Sequence, residues 1–132
     1  MIYGIGTDIA KVSRFERWLQ NDALISRFFA VEEYFTGSFD KNPSVACQHY
    51  ASRFAAKEAF AKALGTGFVG LTLKDFWVIK NEEGKPSFAF GEATEKVLAQ
   101  RVGACKVHLS LSHEKEYATA FVVIEKKEGE AD

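Results

Sequence analysis

The sequence predicts an α+β fold: a single small domain with a mostly antiparallel sheet packed against one long helix and several short helices. Three observations lead there. The chain has 132 residues, room for one domain. Alternating apolar segments lie at its start and near its end, with a helical block between them. The punctuation from Asn42 to Gly65 brackets one uninterrupted helix. An order of strand, helices, hairpin, helix and hairpin is the α+β pattern rather than the strict strand-helix alternation of parallel sheets.

Taken in order, Met1 to Ile9 is apolar and interrupted by Gly4 and Gly6, as expected of a buried strand approached closely by another backbone. Ser13-Arg-Phe-Glu16 matches a capping box and predicts a helix start. Asp22 to Tyr34 reads as one or two further short helical segments, and Gly37 to Asn42 as a loop. Asn42 as N-cap, Pro43 at the first helical position and Gly65 as C-cap define a helix over Pro43 to Leu64. Leu71 to Lys80 alternates as a strand, Asn81 to Pro86 carries turn residues, and Ser87 to Phe90 returns antiparallel. Glu92 to Val102 is a helix stopped by Gly103, and Cys105 to Ser112 with Tyr117 to Lys126 form a last strand pair. The domain therefore spans residues 1–126, and 127–132 form an acidic tail expected to fray.

Composition narrows the function classes. Hydrophobic residues reach 47 % and charged residues 27 %, enough to fill a core and unlike a disordered chain. One domain of this length excludes a two-domain dinucleotide-dependent enzyme and a (β/α)8 barrel. The net charge of −1 argues against a surface given over to nucleic acid or anionic lipid. Cys47 and Cys105 stand far apart, outside any CxxC pair, which suits a reducing compartment. The start of the chain lacks a signal-like apolar segment and the longest apolar run is Ala120 to Ile124, so the expectation is a cytoplasmic protein without membrane partners.

Four constellations carry possible chemistry. Glu58 falls on the face of its helix shared with Cys47, Ala51, Phe54, Ala55 and Ala61, so a carboxylate sits in an apolar stripe and needs a partner. One partner is Lys62, a turn later on the same helix. The other is Asp8, a second carboxylate within an apolar run; together the two acids suit Mg²⁺, which is held by one or two carboxylates with positions left for water and phosphate. As a structural residue, Asp8 would instead end its strand. Arg53, Lys57 and Lys62 give the helix a local charge of +2, suited to phosphates or to a solvated face. The following Gly65-Thr-Gly67-Phe-Val-Gly70 matches GxGxxG formally, but it follows a helix and precedes a strand, the reverse of a dinucleotide fingerprint. His113 closes a Leu-Ser-Leu-Ser-His segment that brings no nucleophile such as GxSxG, which disfavours a hydrolase triad. Finally, Lys11, Arg14, Arg17 and Arg27 surround Phe15, Trp18, Leu19, Phe28 and Phe29, a pattern suited either to an acidic partner helix or to an ordinary amphipathic core.

Three segments together, Gly4-Ile-Gly-Thr-Asp8-Ile, Arg53-Phe-Ala-Ala-Lys-Glu58 through Gly67, and Leu109-Ser-Leu-Ser-His113 with Tyr117-Ala, resemble the bacterial holo-[acyl-carrier-protein] synthases, small 4′-phosphopantetheinyl transferases, over nearly the whole chain. The resemblance implies transfer of 4′-phosphopantetheine from coenzyme A to a serine of apo acyl carrier protein, releasing adenosine 3′,5′-bisphosphate, in support of fatty acid biosynthesis. It implies Asp8 and Glu58 as Mg²⁺ ligands and catalytic residues, with Lys62 beside them. Arg53, Lys57, Lys62, Gly65, Thr66, Gly67, Lys85, Pro86 and His113 would serve the coenzyme. Arg14, Arg17, Trp18, Arg27 and Phe28 would meet the carrier protein. A homotrimer with active sites between subunits is also implied. After Arg27 the family pattern is Leu-Thr-x-x-Glu, whereas this chain reads Phe28-Phe-Ala-Val-Glu32-Glu33. The carrier serine supplies the nucleophile in such a reaction, consistent with the lack of one here, and Glu58 is the candidate base. The rival readings are a noncatalytic module that binds coenzyme A or a nucleotide, and a metal-dependent phosphohydrolase that uses water.

Overall fold

The computed structural model describes residues 1–128. Strand β1 (Ile2–Lys11) leads through two 3-10 turns to helix α1 (Asp22–Phe28), a third 3-10 turn (Val31–Glu33) and the long helix α2 (Pro43–Leu64). A hairpin of β2 (Phe76–Lys80) and β3 (Pro86–Phe90), helix α3 (Glu92–Arg101) and a second hairpin of β4 (Cys105–His113) and β5 (Tyr117–Lys126) complete it. Every pairing is antiparallel, but the strands form two sheets rather than one: β1-β5-β4 and β2-β3.

Helix α2 is the axis of the molecule. Pro43 occupies its first turn and Gly65 ends it in the left-handed conformation at φ 83°, the bounds expected from the sequence. Asn42 contributes its main-chain carbonyl, which accepts from Ala46 at 3.0 Å, and no side-chain cap. A run of alanines, all buried at positions 51, 55, 56, 59, 61 and 63, keeps the helix narrow enough to lie directly on the three-stranded sheet.

The closest approach is at β1. A Cβ at Gly4 would stand 2.0 Å from the Ala63 carbonyl oxygen, and one at Gly6 1.9 Å from that of Ala59. Only hydrogen fits there. The side of β1 away from α2 is bare: Ile5 and Ile9 are each 62 % exposed, and neighbouring Phe121 of β5 is 47 % exposed. The expectation of a buried first strand thus holds for one face only, because one helix covers one side of a sheet.

Three local expectations are corrected. Ser13 and Glu16 form no capping box; Val12–Glu16 is a 3-10 turn without a side-chain cap, held by Val12 N–H donating to Glu116 at 2.8 Å and by burial of Val12 and Phe15. The strand expected from Leu71 begins only at Phe76, since Leu73–Asp75 turns and the Leu73 carbonyl accepts from Lys57. The sequence places the start of a frayed acidic tail at residue 127, yet Lys127 N–H still bonds to Ala104 at 3.0 Å. The last four residues of that tail, Gly129 to Asp132, lie outside the described residues.

Candidate active site

The contact of Gly4 and Gly6 with α2 sets the position of Asp8. Residues two apart share a face of a strand, so Asp8 comes next against the helix, where its charge acts on Glu58, the residue before Ala59. Burial, and then the Asp8 charge, hold the Glu58 carboxyl above its ordinary range, while Lys62 and Arg14 oppose that shift. Lys62 Nζ lies 3.3 Å from Asp8 Oδ1 and donates to the Thr7 carbonyl at 3.0 Å. The intrahelical Glu58–Lys62 pair is not formed; Lys62 reaches across to the strand instead. Among the described residues no cation forms an ion pair with Glu58.

Two half-buried carboxylates, of which Glu58 is raised by the charge of Asp8 and is left without an ion pair, fit a hard divalent cation. No third His, Cys, Asp or Glu among the described residues joins them to complete a metal cluster. A donor set of two carboxylates is the kind that holds Mg²⁺ with water and phosphate in its remaining positions, whereas zinc is held mostly by His and Cys.

The loop after α2 adjoins this site. Gly65 and Gly67 both adopt positive φ, and the Thr66 hydroxyl donates to the Gly67 carbonyl at 2.7 Å. Beyond Glu58 on the other side, the Arg14 guanidinium stands 4.9 Å from the Phe54 ring centroid. Arg14, Arg17 and Arg27 are exposed, and Arg27 lies over Phe28 at 5.5 Å. Phe28 is half-buried against Trp18, with ring centroids 5.2 Å apart. Trp18 itself does not offer the expected contact to a partner. It is 7 % exposed and packs among Phe15, Phe28, Phe29 and Phe54, so it supports the basic rim from beneath.

A second cluster lies across the molecule. Arg53, Pro86 and His113 line one cavity of about 400 Å³, together with His49, Lys80 and Gly84. Lys85 sits between two of these lining residues, in the turn where the Asn81 side chain accepts from Glu83 and Lys85 N–H. Arg53 Nη1 donates to the His49 carbonyl and the Ser52 hydroxyl, and its buried Nε has no partner among the described residues. Burial, Arg53 and Lys80 pull His49 down to about 4, although its Nε2 bonds to the Glu33 carbonyl. With His49 neutral at that value, Arg53 and Lys80 bring two positive charges to one cavity, which marks a place for an anion. His49 and Lys80 are members of this cluster that sequence reasoning missed. The one signal for His49 is its position a helical turn before Arg53.

Lys57 is the clearest correction. Instead of facing the coenzyme phosphates, as the resemblance implies, it is fully buried. Its ammonium donates to Glu33 at 2.8 Å, to the Leu73 carbonyl at 2.6 Å and to the Phe76 carbonyl, which uses all three N–H bonds. Glu33 in turn accepts from Ala30 and Val78 N–H, so the Phe28–Glu33 stretch that departs from the family pattern delivers a buried carboxylate that ties α2 to the β2 region.

The two clusters occupy opposite sides of α2. Positions 53 and 58 are about 140° apart around a helix. Glu58 faces β1, and Arg53 faces the cavity reached by Leu111 and His113 of β4. β1 and β4 are the two edges of the sheet.

A sequence model of the 4′-phosphopantetheinyl transferase superfamily matches residues 4–122. The chain is 46 % identical over 128 residues to a holo-[acyl-carrier-protein] synthase of Treponema denticola, covering 95 % of this chain and 99 % of that one. Against the crystal structure of the Neisseria meningitidis holo-[acyl-carrier-protein] synthase the TM-score is 0.81 at 40 % identity, over 96 % of this chain and 100 % of the other. Against the Bacillus anthracis synthase, solved in complex with CoA (3′,5′-ADP), it is 0.76 at 34 % identity, over 96 % and 99 %. With a match running through both clusters and nearly end to end, the chain belongs to the 4′-phosphopantetheinyl transferase superfamily.

Proposed function

We propose that the chain transfers 4′-phosphopantetheine from coenzyme A to a serine of apo acyl carrier protein, yielding the holo carrier and adenosine 3′,5′-bisphosphate for fatty acid biosynthesis. The observation that carries this reading is the unpaired Glu58 beside Asp8, held there by the glycine contact of β1 with α2. Family membership and the synthase relatives support it.

In this reading Asp8 and Glu58 hold Mg²⁺, which when bound offsets the charge developing on the pyrophosphate. Lys62 keeps Asp8 oriented and adds a positive charge where the phosphates sit. The phosphorus–oxygen bond to the carrier serine forms as the bond to the adenosine bisphosphate breaks, and Glu58 takes the serine proton. Burial and the Asp8 charge raise its affinity for a proton, the direction that a base needs. The cavity of Arg53, Pro86 and His113, with Lys85 at its rim, holds the phosphorylated nucleotide end. Arg14, Arg17, Arg27 and Phe28 receive an acidic helix of the carrier, close enough to Glu58 for Arg14 to act on its carboxyl.

The two halves of that site lie toward opposite edges of one sheet, so we assign the complete site to contacts between copies. An interface that joins unlike surfaces closes into a ring when its rotation divides a full turn, and the homotrimer implied by the resemblance is such a ring. The bare outer face at Ile5, Ile9 and Phe121 gives it apolar surface to bury. A cytoplasmic location accords with the two unpaired cysteines, and no helix is long and apolar enough to cross a membrane. The test is the intact mass of apo acyl carrier protein incubated with coenzyme A and Mg²⁺. A pantetheine adduct is expected, and an unchanged mass with folded enzyme and cognate carrier overturns the proposal.

A further inference from the structure

Three walls of the cavity around Arg53 come from separate parts of the chain. Arg53 and His49 belong to α2, Lys80, Gly84 and Pro86 to the β2–β3 hairpin, and Phe35 to the segment between α1 and α2. The hairpin is a sheet of its own, so no strand ladder fixes its distance from the helix. One residue reaches all three walls. Glu33, 1 % exposed, lies two residues before Phe35 and accepts from Ala30 N–H of its own segment at 3.1 Å. Its carboxylate also accepts from Val78 N–H at 3.2 Å, two residues before Lys80 on β2. From α2 it meets Lys57 Nζ at 2.8 Å, one helical turn beyond Arg53. Its main-chain carbonyl accepts from His49 Nε2, and the His49 carbonyl in turn accepts from Arg53 Nη1 at 3.3 Å.

Lys57 completes the tie. Its remaining N–H bonds go to the Leu73 carbonyl, just before β2, and to the carbonyl of Phe76, where β2 starts. It also settles the charge. The Glu33 carboxylate acts on Arg53, and left alone it would repel any anion held there. Paired with Lys57 it is neutralised, and the cavity keeps the two positive charges of Arg53 and Lys80. We propose that Glu33 and Lys57 are positioning residues for the coenzyme: buried and out of its reach, they set the spacing of the α2 and β2–β3 walls that lets Arg53 and Lys80 act on one phosphate. This rests on the coenzyme reading above. It gives Lys57 a part in coenzyme binding that works through the cavity walls instead of by contact.

The test is a double variant, Glu33→Gln with Lys57→Met. Removing both charges together avoids stranding one buried ion, and it removes the tie. A carboxamide has one acceptor oxygen where the carboxylate serves Ala30, Val78 and Lys57, and Met donates nothing. In steady-state kinetics the KM for coenzyme A should rise about tenfold, the effect of losing one charge-assisted hydrogen bond to phosphate, while the KM for apo carrier stays unchanged. A purely structural pair would lower the active fraction, and with it kcat, and leave both KM values alone; that result in a folded double variant overturns the proposal. Glu33→Asp decides the matter if the double variant does not fold. It keeps the charge beside Lys57 but is one methylene too short to serve Val78 as well, so the same KM should rise, and an unchanged KM overturns the proposal. Calorimetry with adenosine 3′,5′-bisphosphate keeps the two readings apart. A wild-type protein that does not bind it overturns the coenzyme reading itself, whereas equal affinity in wild type and in these variants overturns the positioning role alone.

Discussion

Gly6→Ala perturbs the contact on which the whole carboxylate site depends. The new Cβ would lie 1.9 Å from the Ala59 carbonyl oxygen, where ordinary contact begins near 3.4 Å. Strand and helix must separate by about 1.5 Å, the difference of the two. Because the obstacle is main chain rather than a flexible side chain, repacking gives little relief, and the loss belongs at the upper end of the 1–3 kcal/mol typical of overpacking, about 3 kcal/mol. With an unfolding entropy of about 2.1 cal/mol/K per residue, a chain of 132 residues loses about 10 °C in Tm. The same displacement parts Asp8 from Glu58, and a misplacement of about 1 Å at reacting groups lowers rates about a hundredfold. Scanning calorimetry and turnover of apo carrier protein measure the two effects. An alanine variant with wild-type Tm and wild-type turnover would refute the close packing of β1 on α2. So would rescue by Ala59→Gly, because the contact is with the carbonyl and not with the Ala59 methyl.

The same geometry sets four further outcomes. Asp8→Asn and Glu58→Gln should each lower turnover about a hundredfold or more, while Tm stays near or above wild type because the Asp8–Lys62 pair is half-exposed; a large loss of stability with activity intact would make the carboxylates structural. Lys57→Met leaves Glu33 charged and buried without its partner, so urea unfolding should show a loss of about 3–5 kcal/mol, and a loss below about 1 kcal/mol would contradict the buried pair. His49 protonates near 4 in the folded protein against an ordinary 6.5, so the unfolded chain takes up its proton first as pH falls. The stability it loses between pH 6.5 and pH 4 is at most about 3 kcal/mol, reduced by partial solvent exposure of the ring; His49→Phe should therefore lose less stability than wild type between pH 7 and pH 4.5, and parallel pH profiles would contradict this. If sites are shared between copies, Glu58→Gln and Arg53→Ala chains, each inactive alone, should recover activity when co-expressed, and activity that stays at the sum of the two would place each site within one chain.

How much of the molecule is legible in its sequence depends on how local the cause is. The bounds of α2 are carried by Pro43 and Gly65 themselves, through a missing N–H and a freely adopted positive φ. The Asp8–Glu58 pair is legible because each acid interrupts an apolar pattern with a period of its own. Lys57 misleads because its neighbours along the helix, Arg53 and Lys62, are both accessible to some degree; only the arrival of Glu33 from a distant turn draws it inward. Trp18 misleads for a related reason, since an aromatic among arginines has the same pattern whether it faces a partner or the Phe15–Phe54 cluster. The capping box at Ser13 loses to a long-range hydrogen bond, from Val12 to Glu116, which no local pattern contains. The uncovered face of β1 shows only when the number of helices above the sheet is known.

A group transfer of this kind consumes two substrates, so counting both products in one reaction probes it without intermediaries. Purified protein, coenzyme A, Mg²⁺ and apo acyl carrier protein should release one adenosine 3′,5′-bisphosphate for each carrier converted to the holo form, with none released when the carrier is left out. Release of the bisphosphate without the carrier, or a holo carrier that never forms, would contradict the transfer.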